Sequence, residues 1–408
     1  MGLLTGDAQD LSQAGWGIIF AANDPRVEAV RAALRPLLEL RRAQAGHACE
    51  HFYREFCRDR GYQEGDTKRR FLSRHGVGPG AADPDRMPFY LLIVGDPETI
   101  PYEFQYHLDI QYAVGRIYFE TIDAYADYAR NVVAAETCSR GHDRTVAFFA
   151  PQHPGDSATE LSATQLAARL AEYATHQSDW KVKVALRDDA TKARLQELLA
   201  GEEELDLLFT AGHGMVFRHG HPLQTPCQGA VVCRDWVGGG MAPEFYFSGD
   251  DLSSSQRLHG LIAFHFGCYS AGTPAWADVN LEHERRPVAP KPFISHLSLR
   301  LLQAGALAVI GHIGMAWRCS IEWPGAGTHI QVFKEALGRL LLGYRVGMAM
   351  DSFGQRYAEL ASELSAEFER IWQGDPLDDE QLKDLWTSSH DTRNYIVLGD
   401  PAVRFVIP

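Results

Sequence analysis

No apolar run in this chain approaches the ~20 residues that cross a bilayer, so no membrane-spanning segment is expected. Basic residues are few for its size. Lys and Arg number 39 against 53 Asp and Glu, a net charge of −14. Binding driven by phosphate contacts needs clustered Lys and Arg, so a nucleic-acid partner is not expected. Cysteine is sparse and odd in number. The seven (Cys49, Cys57, Cys138, Cys227, Cys233, Cys268 and Cys319) are scattered and suggest no disulfide framework, which favours a reducing compartment. The opening Met1-Gly2-Leu3-Leu4-Thr5-Gly6-Asp7 has neither a basic start nor a long apolar stretch, so no secretory signal is expected and the expected location is cytoplasmic. Gly6 also stands where a myristoylation motif wants Ser or Thr. Short-period repeats and low-complexity linkers are absent as well.

What is present is ample core material. The chain has 408 residues, 45% hydrophobic and 23% charged, enough for two ordinary domains or one large α/β domain. Strand-like and helix-like segments alternate, the pattern of an α/β protein with a mainly parallel sheet. The spacing predicts strands at 16–21, 89–94, 112–119, 145–151, 180–186, 306–314 and 395–399. Helices are expected at 25–42, 121–138, 159–173, 191–199, 292–303 and 328–342, with a long amphipathic one over 346–372. The helix after 157 is expected to start on Ser157 or Thr159 as its cap. Two α/β units in tandem follow from this, joined near 138–143, giving residues 1–140 and 141–408.

The chemistry gathers at two strand ends. One run reads Leu205-Asp206-Leu207-Leu208-Phe209-Thr210-Ala211-Gly212-His213-Gly214, and the other reads Gly260-Leu261-Ile262-Ala263-Phe264-His265-Phe266-Gly267-Cys268. Each is a short apolar segment closed by glycine and a reactive side chain, as buried parallel strands deliver residues to one sheet edge. A thiolate attacks carbonyls well, and an adjacent imidazole can take its proton and later hand it to the leaving amine. His213 is therefore the expected base and Cys268 the nucleophile, with the backbone N–H groups of Gly214 and Cys268 as an oxyanion hole. Taken singly, a strand-end cysteine is more often a small buried hydrophobe. His265, three residues before Cys268, falls on the opposite strand face and is expected to be a packed histidine.

Other groupings carry less. His213, His219, His221, Cys227, Cys233, His265 and Cys268 could supply zinc ligands, but their spacings match no familiar zinc pattern, so no metal is expected. Gly238-Gly239-Gly240 lacks the Lys and the strand-to-helix setting of a phosphate loop. No cofactor is expected.

"LLFTAGHG" followed by "IAFHFGCYSAG" resembles the caspase-like cysteine peptidases, which include caspases, gingipains and the bacterial domains called CHAT. "FYLLIVGDPETIPYEFQYHLDIQYAVGRI" looks like the gingipain type, where a non-catalytic α/β subdomain precedes the catalytic one. "YIVLGDPAVRF" is similar to the closing strand of CHAT domains. The resemblance implies a caspase-like three-layer α/β fold and an endopeptidase acting through a thioester on protein or peptide substrates. It places the specificity pocket among residues 151–160, 269–278 and 313–317. Asp156 there either receives a basic substrate side chain, as an acid does in gingipains, or orients His213, or is a turn residue. Trp317 either walls the substrate or lies in the core. No Arg stands where caspases select aspartate, so cleavage after Arg or Lys is expected. The polar 280–292 segment is either an exposed loop or a processing site, with Arg285 or Arg286 as points of self-cleavage. Activation by a partner protein or upstream protease, within a bacterial defence or signalling cascade, is consistent with such relatives. A catalytically silent interaction module and a zinc-dependent hydrolase are the alternatives.

Overall fold

In a computed structural model, residues 6–137, 144–177, 179–200, 205–253, 256–278, 285–374 and 379–406 are described. The expected join at 138–143 lies outside them. A single ten-stranded sheet forms the centre. Its strands are β1 Trp16–Phe20, β2 Tyr53–Phe56, β3 Tyr90–Val94, β4 Ala113–Ile117, β5 Arg144–Ala150, β6 Trp180–Leu186, β7 Leu207–Ala211, β8 Ile262–Phe266, β9 Ala308–His312 and β10 Tyr395–Gly399. Across the sheet the order is β2-β1-β3-β4-β10-β9-β8-β7-β5-β6. Neighbours run parallel except β10 against β9, which are antiparallel. β1, β3, β4, β7, β8, β9 and β10 are buried along their whole length. Continuous apolar runs are what a sheet covered on both faces requires. At the edge, β6 is only partly covered, with Trp180 and Ala185 buried and Lys181 and Val184 exposed, rather than alternating as the sequence suggests.

Residues before 138 supply β1 to β4 and residues after 143 supply β5 to β10. The two sets meet where the last strand, β10, pairs with β4 on one side and β9 on the other. A buried polar knot ties this junction. Asp400, directly after β10, accepts from Trp16 Nε1 at 2.9 Å and from Arg41 Nε at 2.7 Å. Arg41 is fully buried and also holds Glu136 through two contacts of 2.7 and 2.6 Å.

Several expected elements differ in detail. The helix expected over 25–42 is two, Val27–Ala33 and Arg35–Ala45, the second opening with Pro36 in its first turn. The helix expected over 159–173 runs from Ser157 to Thr175 with one wide turn at Ser162–Ala167, and its cap is Asp156. The long helix starts at Asp351, after a separate short turn at Val346–Ala349. A helix at Asp379–Arg393 packs against it.

Candidate active site

β5, β7, β8 and β9 lie side by side and parallel, so the loops leaving their carboxyl ends share one sheet edge. Open α/β sheets place their ligands at that edge. The loops carry Asp156, His213, Cys268 and Trp317 respectively.

Cys268 sits in a turn held from several sides. Tyr269, next to it, has φ 55, a left-handed conformation that a bulky side chain adopts only when its surroundings impose it. Tyr269 N–H donates to Gly314 O at 2.7 Å, and Ala271 N–H to His312 O at 3.0 Å. Ser270 ties the turn to its own strand and to the next one, its hydroxyl donating to His265 O at 3.1 Å and accepting from His312 N–H at 2.9 Å.

The histidine loop presses directly on this turn. A Cβ at Gly214 would stand 2.0 Å from Cys268 O, and one at Gly229, where φ is 81, would stand 2.1 Å from Tyr269 O. Only glycine fits either place. The Cys268 sulfur lies 3.8 Å from Ala316 O. Burial pushes the Cys268 thiol up, and the nearby Asp391 carboxylate adds to the rise, partly offset by backbone contacts from Ala316, Gly214 and Cys268. A thiol shifted in this direction needs a base before it can attack.

His213 is half-exposed and its Nε2 lies 2.5 Å from Asp156 Oδ2. The other Asp156 oxygen caps the following helix, accepting from Ala158 N–H at 2.9 Å and Thr159 N–H at 3.3 Å. Burial pushes the Asp156 carboxyl up, but the bond and charge of His213, with those two N–H groups, outweigh it and hold the group below its usual range. In the neutral imidazole with Nε2–H donated to the carboxylate, the lone pair of a base would stand on Nδ1. Asp156 and His213 are paired, and the histidine loop abuts the turn that carries Cys268, so a carboxylate, an imidazole and a thiol share one sheet edge.

Both Asp156 oxygens are engaged within the protein, so the geometry favours its orienting His213 over its receiving a substrate side chain. Trp317 is 48% exposed and walls an open cleft, which corrects the reading of a core tryptophan. Tyr269, Trp276, Asp278, Met315 and Trp386 line the same cleft. Asp278 reaches Arg393 at 2.5 Å and Asn394 at 3.1 Å. With Glu103 and Asp391 it is one of the acidic wall residues that sequence reasoning did not single out. His265 is buried on the far face against Thr210 Oγ1 at 2.7 Å, and burial pulls it down to about 4. His153 was also missed. It is buried, stacks parallel to His213 at 6.1 Å and bonds Trp236 O through Nδ1 at 2.9 Å. Arg285 and Arg286 are exposed, with Arg285 over the Trp276 ring, while residues 279–284 lie outside the described ones. No group of three or more His, Cys, Asp or Glu suited to a metal occurs among the described residues.

A mostly parallel sheet that brings a cysteine and a histidine to one edge defines a caspase-like α/β peptidase of the cysteine type. The chain belongs to peptidase family C25, whose family model matches residues 17–406. It is a cysteine-type endopeptidase. Among solved structures, gingipain R, an Arg-specific cysteine proteinase, is similar at 13% identity and a TM-score of 0.55, covering 96% of this chain and 78% of that one. The complex of Porphyromonas gingivalis RgpB pro- and mature domains is similar at 14% identity and 0.55, over 96% and 80%. A third structure, described as a protease, gives 12% identity and 0.56, over 97% and 79%. No curated protein matches the sequence.

Proposed function

We propose that this endopeptidase works through Cys268 as nucleophile and His213 as base and acid, with Asp156 orienting His213. The carrying observation is the 2.5 Å contact of Asp156 with His213 Nε2, on a loop whose Gly214 abuts the Cys268 backbone. Sγ of Cys268 attacks the scissile carbonyl carbon as its proton passes to His213 Nδ1. The oxyanion faces the N–H groups of Gly214 and Cys268. His213 then protonates the leaving amine, and water deprotonated by His213 hydrolyses the thioester.

Residues 141–408 form the catalytic unit in this reading, and residues 1–140 a non-catalytic one. Trp317 walls the substrate. Cleavage after Arg or Lys is supported by the likeness to an Arg-specific proteinase. Arg285 and Arg286 are the proposed self-cleavage points. Control by an activating protein or upstream protease is supported by the pro-domain partner of RgpB, and the scattered cysteines support a cytoplasmic location.

Fluorogenic peptides carrying Arg, Lys or Asp before the reporter test this specificity. Arg and Lys peptides are expected to be cleaved at least ~10-fold faster than Asp, the scale on which one charge contact discriminates. Preference for Asp would refute the basic specificity, and no cleavage with no alkylation of Cys268 would favour the silent module. A chelator arm separates the zinc alternative, which alone loses activity on metal removal.

Asp156→Asn is expected to lower kcat by about 10²–10⁴-fold with KM little changed. Asn caps a helix as well as Asp does, so the fold should survive. Steady-state kinetics check this, and a loss below about threefold would remove Asp156 from the machinery.

A further inference from the structure

We propose that Cys49, with His51 and Asp85, forms a second reactive-thiol site, where hydroperoxides and other soft electrophiles modify the protein. Cys49 Sγ lies 2.9 Å from His51 Nδ1 and 3.6 Å from Nε2. His51 Nε2 lies 2.8 Å from Asp85 Oδ1. The order of groups is again thiol, imidazole, carboxylate, and such an array activates sulfur by taking its proton as it reacts.

Position separates this array from the Cys268 cleft. Cys49 precedes β2, the outer strand of the sheet, whereas Cys268 follows β8, six strands away across the sheet. At about 4.8 Å per strand that is roughly 30 Å of separation along the sheet. The array is also braced. One Arg54 guanidinium donates to His51 O at 2.9 Å, Asp85 O at 2.6 Å and Arg86 O at 2.6 Å, fixing both segments that carry it.

Most of the other described cysteines differ. Cys227, Cys233 and Cys268 are buried, and burial pushes each thiol up. Burial likewise pushes the Cys319 thiol up to about 12. Cys57 shares the half-exposure of Cys49 and serves as its internal reference.

With a hydroperoxide, Sγ attacks the terminal oxygen as the thiol proton passes to His51 Nδ1. An S–O bond forms and the O–O bond breaks. The departing oxygen takes the proton from His51 and leaves as water or alcohol. Sulfur loses two electrons to become a sulfenic acid, and the peroxide is reduced.

Site-resolved mass spectrometry of the full chain, alkylated with iodoacetamide over time, tests this. Cys49 is expected to react at least ~10-fold faster than Cys57. His51→Ala and Asp85→Asn should each remove most of that advantage while leaving Cys57 unchanged. Both replaced side chains are well exposed, at 50% and 72%, so folding is retained. A second arm adds hydroperoxide and the sulfenic-acid trap dimedone, and expects an adduct on Cys49 that His51→Ala lacks. Equal rates at the two cysteines, rates indifferent to both substitutions, or no adduct would each overturn the proposal.

Discussion

Replacing Cys268 by alanine is expected to lower kcat/KM on the best peptide by about 10⁴–10⁶-fold, the range seen when a covalent nucleophile is removed. The effect should be far larger than that of Asp156→Asn, because orientation of the base is improved by a carboxylate while the attacking atom has no substitute. Alanine leaves the turn intact. Tyr269, Ser270 and Ala271 hold it through their own backbone and side-chain bonds, none of which uses the sulfur. Substrate should therefore still bind, and the variant should compete as an inert trap. Activity above about one per cent of wild type would rule out the thioester route. Intact mass of the same two proteins reads self-processing. Wild type cut after Arg285 or Arg286 beside an uncut variant is expected, and Pro287 makes Arg285 the better point. Two uncut proteins would end that idea.

Arg41→Met is expected to destabilise the fold by about 3–5 kcal/mol, the penalty for breaking a buried ion cluster from one side. Arg41 meets two carboxylates, Glu136 and Asp400, with side-chain exposures of 4% and 0%. Methionine fills the space of the stem but leaves both anions in the interior without their cation. Urea unfolding by far-UV circular dichroism measures the loss. Adding Glu136→Gln should restore part of it, since one of the stranded charges is then neutral. A loss below about 1 kcal/mol would show that the surroundings relax enough to hydrate the carboxylates.

The sheet was legible because its strands are continuous apolar runs, and the runs ending in His213 and Cys268 also carried the glycines that the close approach at Gly214 demands. β2 was not legible. Tyr53-Arg54-Glu55-Phe56 is four residues long and half charged, so only its place beside β1 makes it a strand. The Asp379–Arg393 helix was missed for a like reason. Leu382 and Leu385 give it a narrow apolar stripe that has meaning only against Leu360 and Leu364 of the preceding helix. Asp156 had three readings of equal standing in the sequence. In the fold it caps its own helix with one oxygen and meets His213, 57 positions away, with the other. Asp278 stayed silent because its partners, Arg393 and Asn394, lie more than 100 positions on.

The seating of β10 between β4 and β9 has a consequence for how the chain is made on the ribosome. Chains usually fold from the amino end as they emerge. Here the strand that bridges the two groups of earlier strands is the last of the ten to appear. Asp391, whose carboxylate receives Trp317 N–H at 2.8 Å, and Arg393 in the cleft wall arrive with it. A nascent chain released short of these residues holds His213 and Cys268 but has neither a joined sheet nor a finished cleft. Completion of the sheet and of the cleft must therefore wait for the end of synthesis.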